Sequence, residues 1–415
     1  MSCSTDYHTL REVVVGRAEH KPLHLHDEPS TRKKLSVAGV ISLEHEDDRV
    51  KKREKEMEEK EILRFKEDKA ASWRKEMIRN QAPEKIFSEA SKRMERCQAQ
   101  VDEFVELLKS NDISVLRPDI VPGWEQPAKT PWWEIGYHYG TPCPRDLFIK
   151  FGDLVVETYS GWRCRYFEGE SYYGVLEDHC EKTNSRFVKM PRGILSERLY
   201  PGYFNNTIAP TTITDEAGQH HIGEIGKDNP VTLYPHSAFT EHCAILEAAD
   251  IRRFGNDAFL QAGGYSNRKA FKWLKRLLKK EGVTLHEMTF EPGHTSYYHL
   301  DAKFSAINEN TILYAPDPAH KPSKSIFDWF RERDWNLVEA PWREVLVSPE
   351  DFTCSGLNLN FLCLAPGKIV LDSGEKGTVK FLRDECGCDC ISMDFSNAFE
   401  FGGAFNCWTV DLIRE

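Results

Sequence analysis

The sequence predicts an α/β fold built from repeated modules. An apolar run, a tight turn and a second apolar run recur in "RDLFIKFGDLVVET", "ADIRRFGNDAFLQA", "LDAKFSAINENTILYA" and "LNLNFLCLAPGKIVLD". The turns are rich in Gly, Asn, Asp and Pro, as in β-hairpins. Helical patterns such as "SNRKAFKWLKRLLKKEG", "KSIFDWFRERDW" and "EKGTVKFLRDECG" lie between the later hairpins. A repeat of roughly 50 residues that mixes strands with a helix is the size of a propeller-like module. An ordinary α/β sheet with unrelated hairpins is the alternative that this periodicity leaves open.

The first part of the chain carries strands and a helix around a charged insertion. An apolar strand from Val13 to Val15 precedes a long stretch of mixed-sign charges. Charges spaced three and four residues apart predict solvated helices. We therefore expect a charged helical insertion at about 40–85, with a partner-binding arm as the alternative interpretation. Apolar residues at helical spacing from Phe87 to Leu108, followed by "SVLRP", predict a helix that packs on a sheet.

A second insertion separates the first hairpin from the second. The section at about 200–235 is rich in Gly, Pro and Asn, so we expect it to be irregular. Its pair His220-His221 has no nearby residues that complete a metal-ligand set, and we assign it no role.

Composition excludes several classes of function. The 415 residues are 40% hydrophobic, enough to bury a large core, and the net charge of -11 disfavours a nucleic-acid partner. No stretch reaches the roughly 18 consecutive apolar residues of a membrane span, and the start lacks the order of a signal peptide. We expect a cytoplasmic protein with no membrane partner. Its twelve cysteines are then reduced thiols rather than a disulfide framework.

Polar residues recur near the start of the first strand in each hairpin. Cys407 begins the next apolar strand along the chain, and His299 lies two residues before one of these positions. If the modules ring an axis, all of these groups meet at its mouth. The recurring polar residues are Asp146, Asp250, Asp301 and Asn358.

Such a set describes a thiol enzyme that acts on a cationic substrate. Two carboxylates can hold a planar guanidinium by paired hydrogen bonds, which leaves its central carbon open to a thiolate. An imidazolium held by a carboxylate can then protonate the departing amine. Each residue also has an ordinary interpretation, because buried cysteines are usually core residues and an Asp that opens a strand is usually a cap.

Five segments in order resemble the amidinotransferase family, typified by glycine amidinotransferase. They are "CPRDLFIKFGDLVVETYSGWRCRYFE", "EAADIRRFGNDAFLQ", "YYHLDAKF", "LNLNFLCL" and "GGAFNCWTVDLIRE". The resemblance implies a pentein fold, an α/β propeller of five ββαβ modules around a pseudo-fivefold axis, with residues 1–415 as a single catalytic domain. It also implies an amidino group carried covalently on a cysteine, with L-arginine as donor and ornithine as product. No cofactor or metal is implied, and because family members are often dimers, a homodimer is an expected assembly.

The resemblance assigns roles to individual residues. It implies that Cys407 is the nucleophile, that His299 is the general acid and base, and that Asp250 is the carboxylate partner of His299. Asp146 and Asp301 are the guanidinium-binding carboxylates. Substrate binding is also assigned to Arg145, which lies next to Asp146 in the first segment.

Departures from the family pattern fall on the substrate side. Where glycine-forming members have an arginine that holds the substrate carboxylate, this chain has Pro318. Thr353 and Cys354 align with the family's paired serines and are predicted to bind substrate. We therefore predict an amine acceptor other than glycine, such as a precursor of a specialised metabolite. Three residues are candidates for the missing positive charge: His320, Lys321 and Lys303.

Two other functions compete with amidino transfer. A guanidine hydrolase on the same fold would resolve the covalent intermediate with water, and the segment "GGAFNCWT" favours the transferase. A binding protein on an inactive fold is the third hypothesis. The presence of Asp250, His299 and Cys407 argues against it.

Three further cysteines in "ECGCDCIS" recur at every second residue. On a strand, this spacing places Cys386, Cys388 and Cys390 on one face, whereas a zinc site normally uses Cys-x-x-Cys pairs. We predict a strand here and no metal site.

Overall fold

Short strands and a smaller number of helices alternate along the chain. The computed structural model describes residues 3–19, 83–121, 128–135, 138–195, 211–214, 220–223, 243–262, 265–290, 299–316, 321–341, 346–347, 354–355, 357–400 and 403–415. The charged insertion expected at about 40–85 therefore lies almost wholly outside the described residues.

The strands of the described residues are short, between two and six residues each. In chain order they are β1 (Leu10–Val15), β2 (Ser114–Leu116), β3 (Ala128–Lys129), β4 (Glu134–Ile135), β5 (Phe148–Phe151), β6 (Leu154–Glu157), β7 (Arg186–Lys189), β8 (Thr211–Thr214), β9 (His220–Gly223), β10 (Ile251–Phe254), β11 (Asp257–Gln261), β12 (Thr284–Met288), β13 (Phe304–Ala306), β14 (Thr311–Tyr314), β15 (Asn336–Glu339), β16 (Leu346–Val347), β17 (Cys354–Ser355), β18 (Leu362–Ala365), β19 (Lys368–Asp372), β20 (Asp389–Met393) and β21 (Thr409–Arg414).

The α-helices of the described residues range from five to 28 residues. They are α1 (Pro83–Ser110), α2 (Tyr173–Thr183), α3 (Arg268–Lys279), α4 (Lys324–Arg331), α5 (Lys376–Asp384) and α6 (Ser396–Glu400). None of these helices combines the length and apolarity needed to cross a membrane.

Five three-stranded sheets repeat one pattern of pairing. In four of them an antiparallel hairpin is followed by a helix and a third strand that pairs in parallel with the second hairpin strand. The fifth sheet has the order β2-β1-β21, in which β1 pairs in parallel with β2 and antiparallel with β21. The predicted repeat is confirmed, and the sheets form a pentein α/β propeller. The four sheets that follow the chain in order are β5-β6-β7, β10-β11-β12, β13-β14-β15 and β18-β19-β20.

Local sequence explains why these segments fold as they do. The hairpin turn between β10 and β11 contains Gly255 at a φ of 67°, a conformation that costs little only for glycine. Helix α3 begins after Asn267, whose side-chain oxygen accepts a hydrogen bond from the backbone N–H of Ala270. Its buried face, Leu274 and Leu278, packs into a core shared with the sheets β5-β6-β7 and β10-β11-β12. The apolar residues of the strands and of the helix in a module therefore pack into a common core.

Most predicted elements are confirmed, with some changes of detail. The helix predicted from Phe87 to Leu108 is α1, and "SVLRP" contains β2. The section at about 200–235 was predicted to be irregular, but its described residues pair as the antiparallel hairpin β8-β9. In the sequence, the Gly-containing segment "DEAGQ" separates the β-branched run "TTIT" from "HHIG", and this pattern is a hairpin signal.

The cysteine-rich strand was placed only partly correctly. Cys390 lies in β20, whereas Cys386 and Cys388 belong to the turn between α5 and that strand. Cys388 and Cys390 are buried and Cys386 packs against the same core cluster. Gly387 in between has a φ of 68°, and this left-handed turn interrupts the strand alternation.

A buried cluster of charges joins three of the sheets. The Asp411 carboxylate in β21 accepts hydrogen bonds from Arg145 at 2.8 Å, Arg253 at 2.7 Å and Arg414 at 2.9 Å. All four side chains are almost fully buried. Asp6 adds a second carboxylate on Arg253. These arginines hold the pKa of Asp411 well below its usual range, although burial alone would raise it.

We expect Asp411→Asn to destabilise the fold by about 3–5 kcal/mol, because it leaves buried guanidinium groups without a matching charge. Urea unfolding followed by circular dichroism measures the change. Asp328→Asn is the control, since Asp328 pairs with Lys324 at the surface and its loss should cost less than about 1 kcal/mol. Equal effects of the two substitutions would contradict the role given to the cluster.

Candidate active site

Three short 3-10 helices bring aspartates to one place. The helices Pro144–Asp146, Ala248–Asp250 and Leu300–Ala302 each end directly before, or one residue before, the first strand of a sheet. The first contacts the second, and the second contacts the third. Cys407 lies two residues before β21, in a turn, and its backbone C=O accepts from the N–H of Arg145 at 3.3 Å. The convergence predicted for Asp146, Asp250, Asp301 and Cys407 therefore occurs.

The turn that carries Cys407 is held by a buried amide. The side-chain oxygen of Asn360 accepts from the backbone N–H groups of Ala404, at 3.0 Å, and Cys407, at 3.1 Å. Gly403 has a φ of 63°, and a Cβ atom at this position would lie 2.5 Å from Cys407 Sγ. Only glycine therefore leaves room for the thiol.

The Cys407 thiol is buried beside a carboxylate. Its Sγ lies 3.4 Å from Asp301 Oδ2, and the side chain is 6% exposed. Burial raises the pKa of Cys407 well above its usual value, and the carboxylates of Asp301 and Asp146 raise it further. In the absence of a bound cation the sulfur therefore keeps its proton at neutral pH.

Asp146 and Asp301 each have one oxygen that accepts a hydrogen bond from the protein and one that does not. Asp146 Oδ2 accepts from Arg165 at 2.6 Å, and Asp301 Oδ2 accepts from Asn406 at 2.8 Å. The Oδ1 atom of each is buried without a hydrogen-bond partner. Buried acceptors without donors are rare, so these two oxygens are suited to receive the N–H groups of a cation.

His299 lies between carboxylates. Its Nε2 is 2.7 Å from Glu247 Oε2, and its Nδ1 is 3.6 Å from Asp146 Oδ1. The Tyr265 ring packs beside the imidazole, with 4.3 Å between the ring centroids. Burial by itself lowers the pKa of His299, but Asp146, Glu247 and Asp250 raise it to about 10. The imidazole is therefore positively charged over the physiological pH range.

The direct carboxylate partner of His299 is Glu247, not Asp250 as predicted. The Asp250 carboxylate accepts hydrogen bonds from Ser266 at 2.7 Å and Gln261 at 3.3 Å. Burial raises the pKa of Asp250 to about 7, against the opposing charges of His299 and Lys303. Asp250 acts on His299 through its charge. Glu247 lies three residues earlier in the segment "EAAD", which was the available signal.

Arg165 supplies the buried positive charge that balances these acids. Besides Asp146, its guanidinium binds Glu168 at 2.7 Å, and it lies 3.8 Å from Glu247. It stacks over the Tyr139 ring, 4.5 Å from the centroid. The sequence contained Arg165 within the first resembling segment, but spacing alone gave no reason to select it.

Two other predicted positions, Arg145 and Asn358, fall elsewhere. The Arg145 side chain is buried against Asp411 and the C=O of Asn406, so the structure makes it part of the fold rather than a substrate ligand. Asn358 donates to Pro341 O and to Thr378, away from the thiol, and Asn360 occupies the place expected for it. Only the backbone of Cys354, in β17, lies within the described residues. Thr353, Pro318 and His320 lie outside them.

One trio in the site has donor atoms close enough to hold a metal ion. Atoms of Asp146, Glu247 and His299 lie within 4.8 Å of one another, the only such group among the described residues. The imidazole, however, is already bonded to Glu247 and charged. Arg165 lies against both acids, so a further cation would be repelled at this point.

The sequence is similar to those of known amidinotransferases. No protein-family model matches the sequence. The chain is 25% identical over 322 residues to the mitochondrial glycine amidinotransferase of Gallus gallus, which covers 76% of this chain and 69% of that protein. It is 26% identical over 329 residues to the L-arginine:L-lysine amidinotransferase of Pseudomonas savastanoi pv. phaseolicola, covering 78% and 80%.

A solved structure shares the fold over the whole chain. The saxitoxin-pathway amidinotransferase of Microseira wollei superposes with a TM-score of 0.67 at 20% identity, over 100% of this chain and 97% of that one. Together, the fold and the site define a pentein propeller with a thiol among carboxylates at its axis. Within that class, the sequence is similar to those of amidinotransferases.

We expect Glu247→Gln to lower the pKa of His299, because the substitution removes the negative charge bonded to Nε2 while it keeps an acceptor there. NMR titration of labelled histidine, with His299→Gln to assign the signal, measures the change. Glu339→Gln is the control, since Glu339 bonds Tyr314 and does not contact the site. An unchanged pKa in Glu247→Gln would mean that Glu247 does not set the charge of His299.

Proposed function

We propose that this protein transfers the amidino group of L-arginine to an amine acceptor other than glycine and releases ornithine, through a covalent amidino group on Cys407. The observation that carries this proposal is the pair of spare oxygens on Asp146 and Asp301 beside a thiol and a charged imidazole. A guanidinium has N–H groups in the fork geometry that such oxygens accept.

Donor binding prepares the nucleophile. The carboxylates of Asp301 and Asp146 contribute to the raised pKa of Cys407, so a guanidinium between them offsets part of that effect. The thiol proton then leaves to water and the thiolate forms beside the guanidinium carbon. The two carboxylates thus bind the donor and make activation of the thiol depend on its presence.

The first half of the reaction uses His299 as an acid. Cys407 Sγ forms a bond to the guanidinium carbon and gives a tetrahedral adduct. The bond from that carbon to the side-chain nitrogen of the donor then breaks, and His299 gives that nitrogen its proton. Ornithine leaves, and the amidino group stays on sulfur. Glu247, Asp146 and Asp250 keep the imidazole protonated before this step.

The second half reverses the roles. The neutral His299 takes a proton from the acceptor amine as its nitrogen attacks the amidino carbon. The carbon–sulfur bond breaks, the guanidinylated acceptor leaves and the thiolate is regenerated. No oxidant, reductant or further proton source is needed.

The case against glycine rests on the sequence. Pro318 stands where glycine-forming family members have arginine, and Thr353 and Cys354 stand in place of paired serines. These differences remove a guanidinium–carboxylate fork and at least one hydroxyl from the substrate side. One curated relative, in Pseudomonas savastanoi, is named for lysine rather than glycine as acceptor.

Three further properties stay predictions of the sequence. They are the single catalytic domain over residues 1–415, a homodimeric assembly and a cytoplasmic location. Size-exclusion chromatography with light scattering measures the assembly.

Incubation with L-arginine should add one amidino group to the protein in the absence of an acceptor, because nothing then removes it from sulfur. Intact-mass spectrometry and peptide mapping locate the group on Cys407. Cys407→Ala should give neither the adduct nor ornithine, and Cys363→Ala is the matched control, since Cys363 is a buried cysteine in another core cluster. Ornithine release that is equal in Cys407→Ala and the parent protein would show that the nucleophile is another residue.

Isotopically labelled arginine separates transfer from hydrolysis within the same experiment. A screen of amine acceptors should yield a guanidinylated amine together with ornithine. Urea or citrulline without a guanidinylated amine would instead assign a guanidine hydrolase, and absence of any adduct would assign a binding protein.

We expect kcat/KM for arginine to rise from neutral pH to an optimum on the alkaline side. The raised pKa of Cys407 makes the thiolate scarcer at low pH, and the pKa of His299, about 10, keeps its acid form until the pH passes that value. Ornithine release in buffers of constant ionic strength measures the profile. A loss of activity as the pH rises through 6.5, the ordinary value for histidine, would contradict this assignment.

A further inference from the structure

Lys303 is placed near the site by the same turn that carries Asp301. It follows the 3-10 helix Leu300–Ala302 and precedes β13. Its backbone N–H donates to Leu300 O at 3.2 Å, and its C=O accepts from Ala315 N–H at 2.9 Å. The backbone of Lys303 is therefore fixed four residues after His299.

The amine of Lys303 has no partner of its own. The residue is fully buried, and its Nζ has no hydrogen-bond acceptor within the part of the chain that the structure describes. It lies 4.2 Å from the centroid of the Phe290 ring. Burial lowers the pKa of Lys303 well below its usual value, against the opposing charges of Asp250 and Asp301.

A second buried lysine, Lys150, has a hydrogen-bond partner for its amine. Lys150 is also fully buried, but its Nζ is 2.8 Å from His179 Nε2, and the other ring nitrogen of His179 lies 2.5 Å from Glu12. Buried amines are usually partnered in this way, because an unpaired one has lost its hydration without replacement. Lys303 lacks such a partner, which points to a ligand.

The charges around Lys303 indicate which ligand. Asp301 lies beside the Cys407 thiol, and both Asp301 and Asp250 act on Lys303 electrostatically. A guanidinium held by Asp146 and Asp301 fills the anionic part of the site. The amine of Lys303 is a buried cation-forming group that has no hydrogen-bond partner among the described residues. It suits a carboxylate.

We propose that Lys303 binds the carboxylate of the amino-acid donor, taking up a proton from water as the carboxylate enters. This inference rests on the proposed function, in which the donor is L-arginine. The ammonium–carboxylate pair fixes the end of the donor that does not react. Lys303 is thereby a specificity-determining residue, which distinguishes an amino acid from the corresponding amine.

Binding measured without chemistry tests this inference. Agmatine is arginine without its carboxylate, and Cys407→Ala prevents adduct formation. By calorimetry, Cys407→Ala should bind L-arginine at least about 10-fold more tightly than agmatine. Adding Lys303→Met to Cys407→Ala should weaken the binding of arginine by about 10-fold or more. It should change the affinity for agmatine by less than about 3-fold.

Two controls address folding. Lys303→Met should melt at or above the temperature of its parent, because an apolar side chain replaces an unpaired buried amine. Lys303→Leu serves with the same expectation if Lys303→Met does not fold. Lys150→Met should lower the melting temperature, because it leaves His179 Nε2 without its lysine partner. It should keep the preference for arginine over agmatine.

An equal preference for arginine over agmatine with and without Lys303 would overturn the inference. So would a parent that binds neither compound. If Cys407→Ala shows the expected preference but the parent enzyme forms no adduct with arginine, the proposed transfer fails while the role of Lys303 stands.

Discussion

The fold depends on the matching of buried charges around the axis. Ionised groups in a protein interior are stable only when paired, and Asp411 in β21 satisfies this rule with three guanidinium groups. These come from the 3-10 helix before β5, from β10 and from β21 itself. Because Arg145 is fixed in this way, its backbone N–H is positioned to bond the C=O of Cys407. The charge cluster that closes the ring of sheets therefore also fixes the thiol.

In the site, some buried polar and charged groups have no hydrogen-bond partner among the described residues. Asp146 and Asp301 each keep an oxygen without a donor, and Lys303 keeps an amine without an acceptor. Among the described residues, no hydrogen bond joins Lys303 to either of these oxygens. An amino acid with a guanidinium side chain has the complementary charges at its two ends. Leaving such groups unpaired lowers stability, and it preorganises the site so that little rearrangement is needed when the substrate binds.

Much of this arrangement could be predicted from the sequence, because it depends on short-range patterns. The hairpin turns and the helical spacing predicted the repeated modules. The polar residues near the strand starts identified Asp146, Asp301 and Cys407 as site residues. What failed depended on side-chain direction. Arg145 is adjacent to Asp146 along the chain, but the 3-10 turn sends its side chain towards Asp411. Successive residues in such a turn point in different directions, and no sequence spacing reveals which one faces the site.

The same reason explains the errors at two other positions. Asn358 and Asn360 both precede β18, and only the structure shows that the second one holds the Cys407 turn. Glu247 and Asp250 are three residues apart in one segment, and which of them contacts His299 depends on how the 3-10 helix Ala248–Asp250 is rotated. Which side chains of different modules contact each other depends on the tertiary structure. The local sequence pattern could therefore identify the segment that forms the site but not the residue that makes each contact.

The electrostatics of His299 also give the proposed reaction its order. Before substrate enters, three carboxylates hold the imidazole in its charged form, so it can only give a proton. It becomes a base after the first amine has left with that proton. The acceptor amine, which must lose a proton to attack, therefore has no base available while the donor is intact. The proposed covalent intermediate on Cys407 separates these two proton transfers into successive steps. The charges around His299 are thus consistent in direction with the order of acid and base steps that the proposed reaction requires.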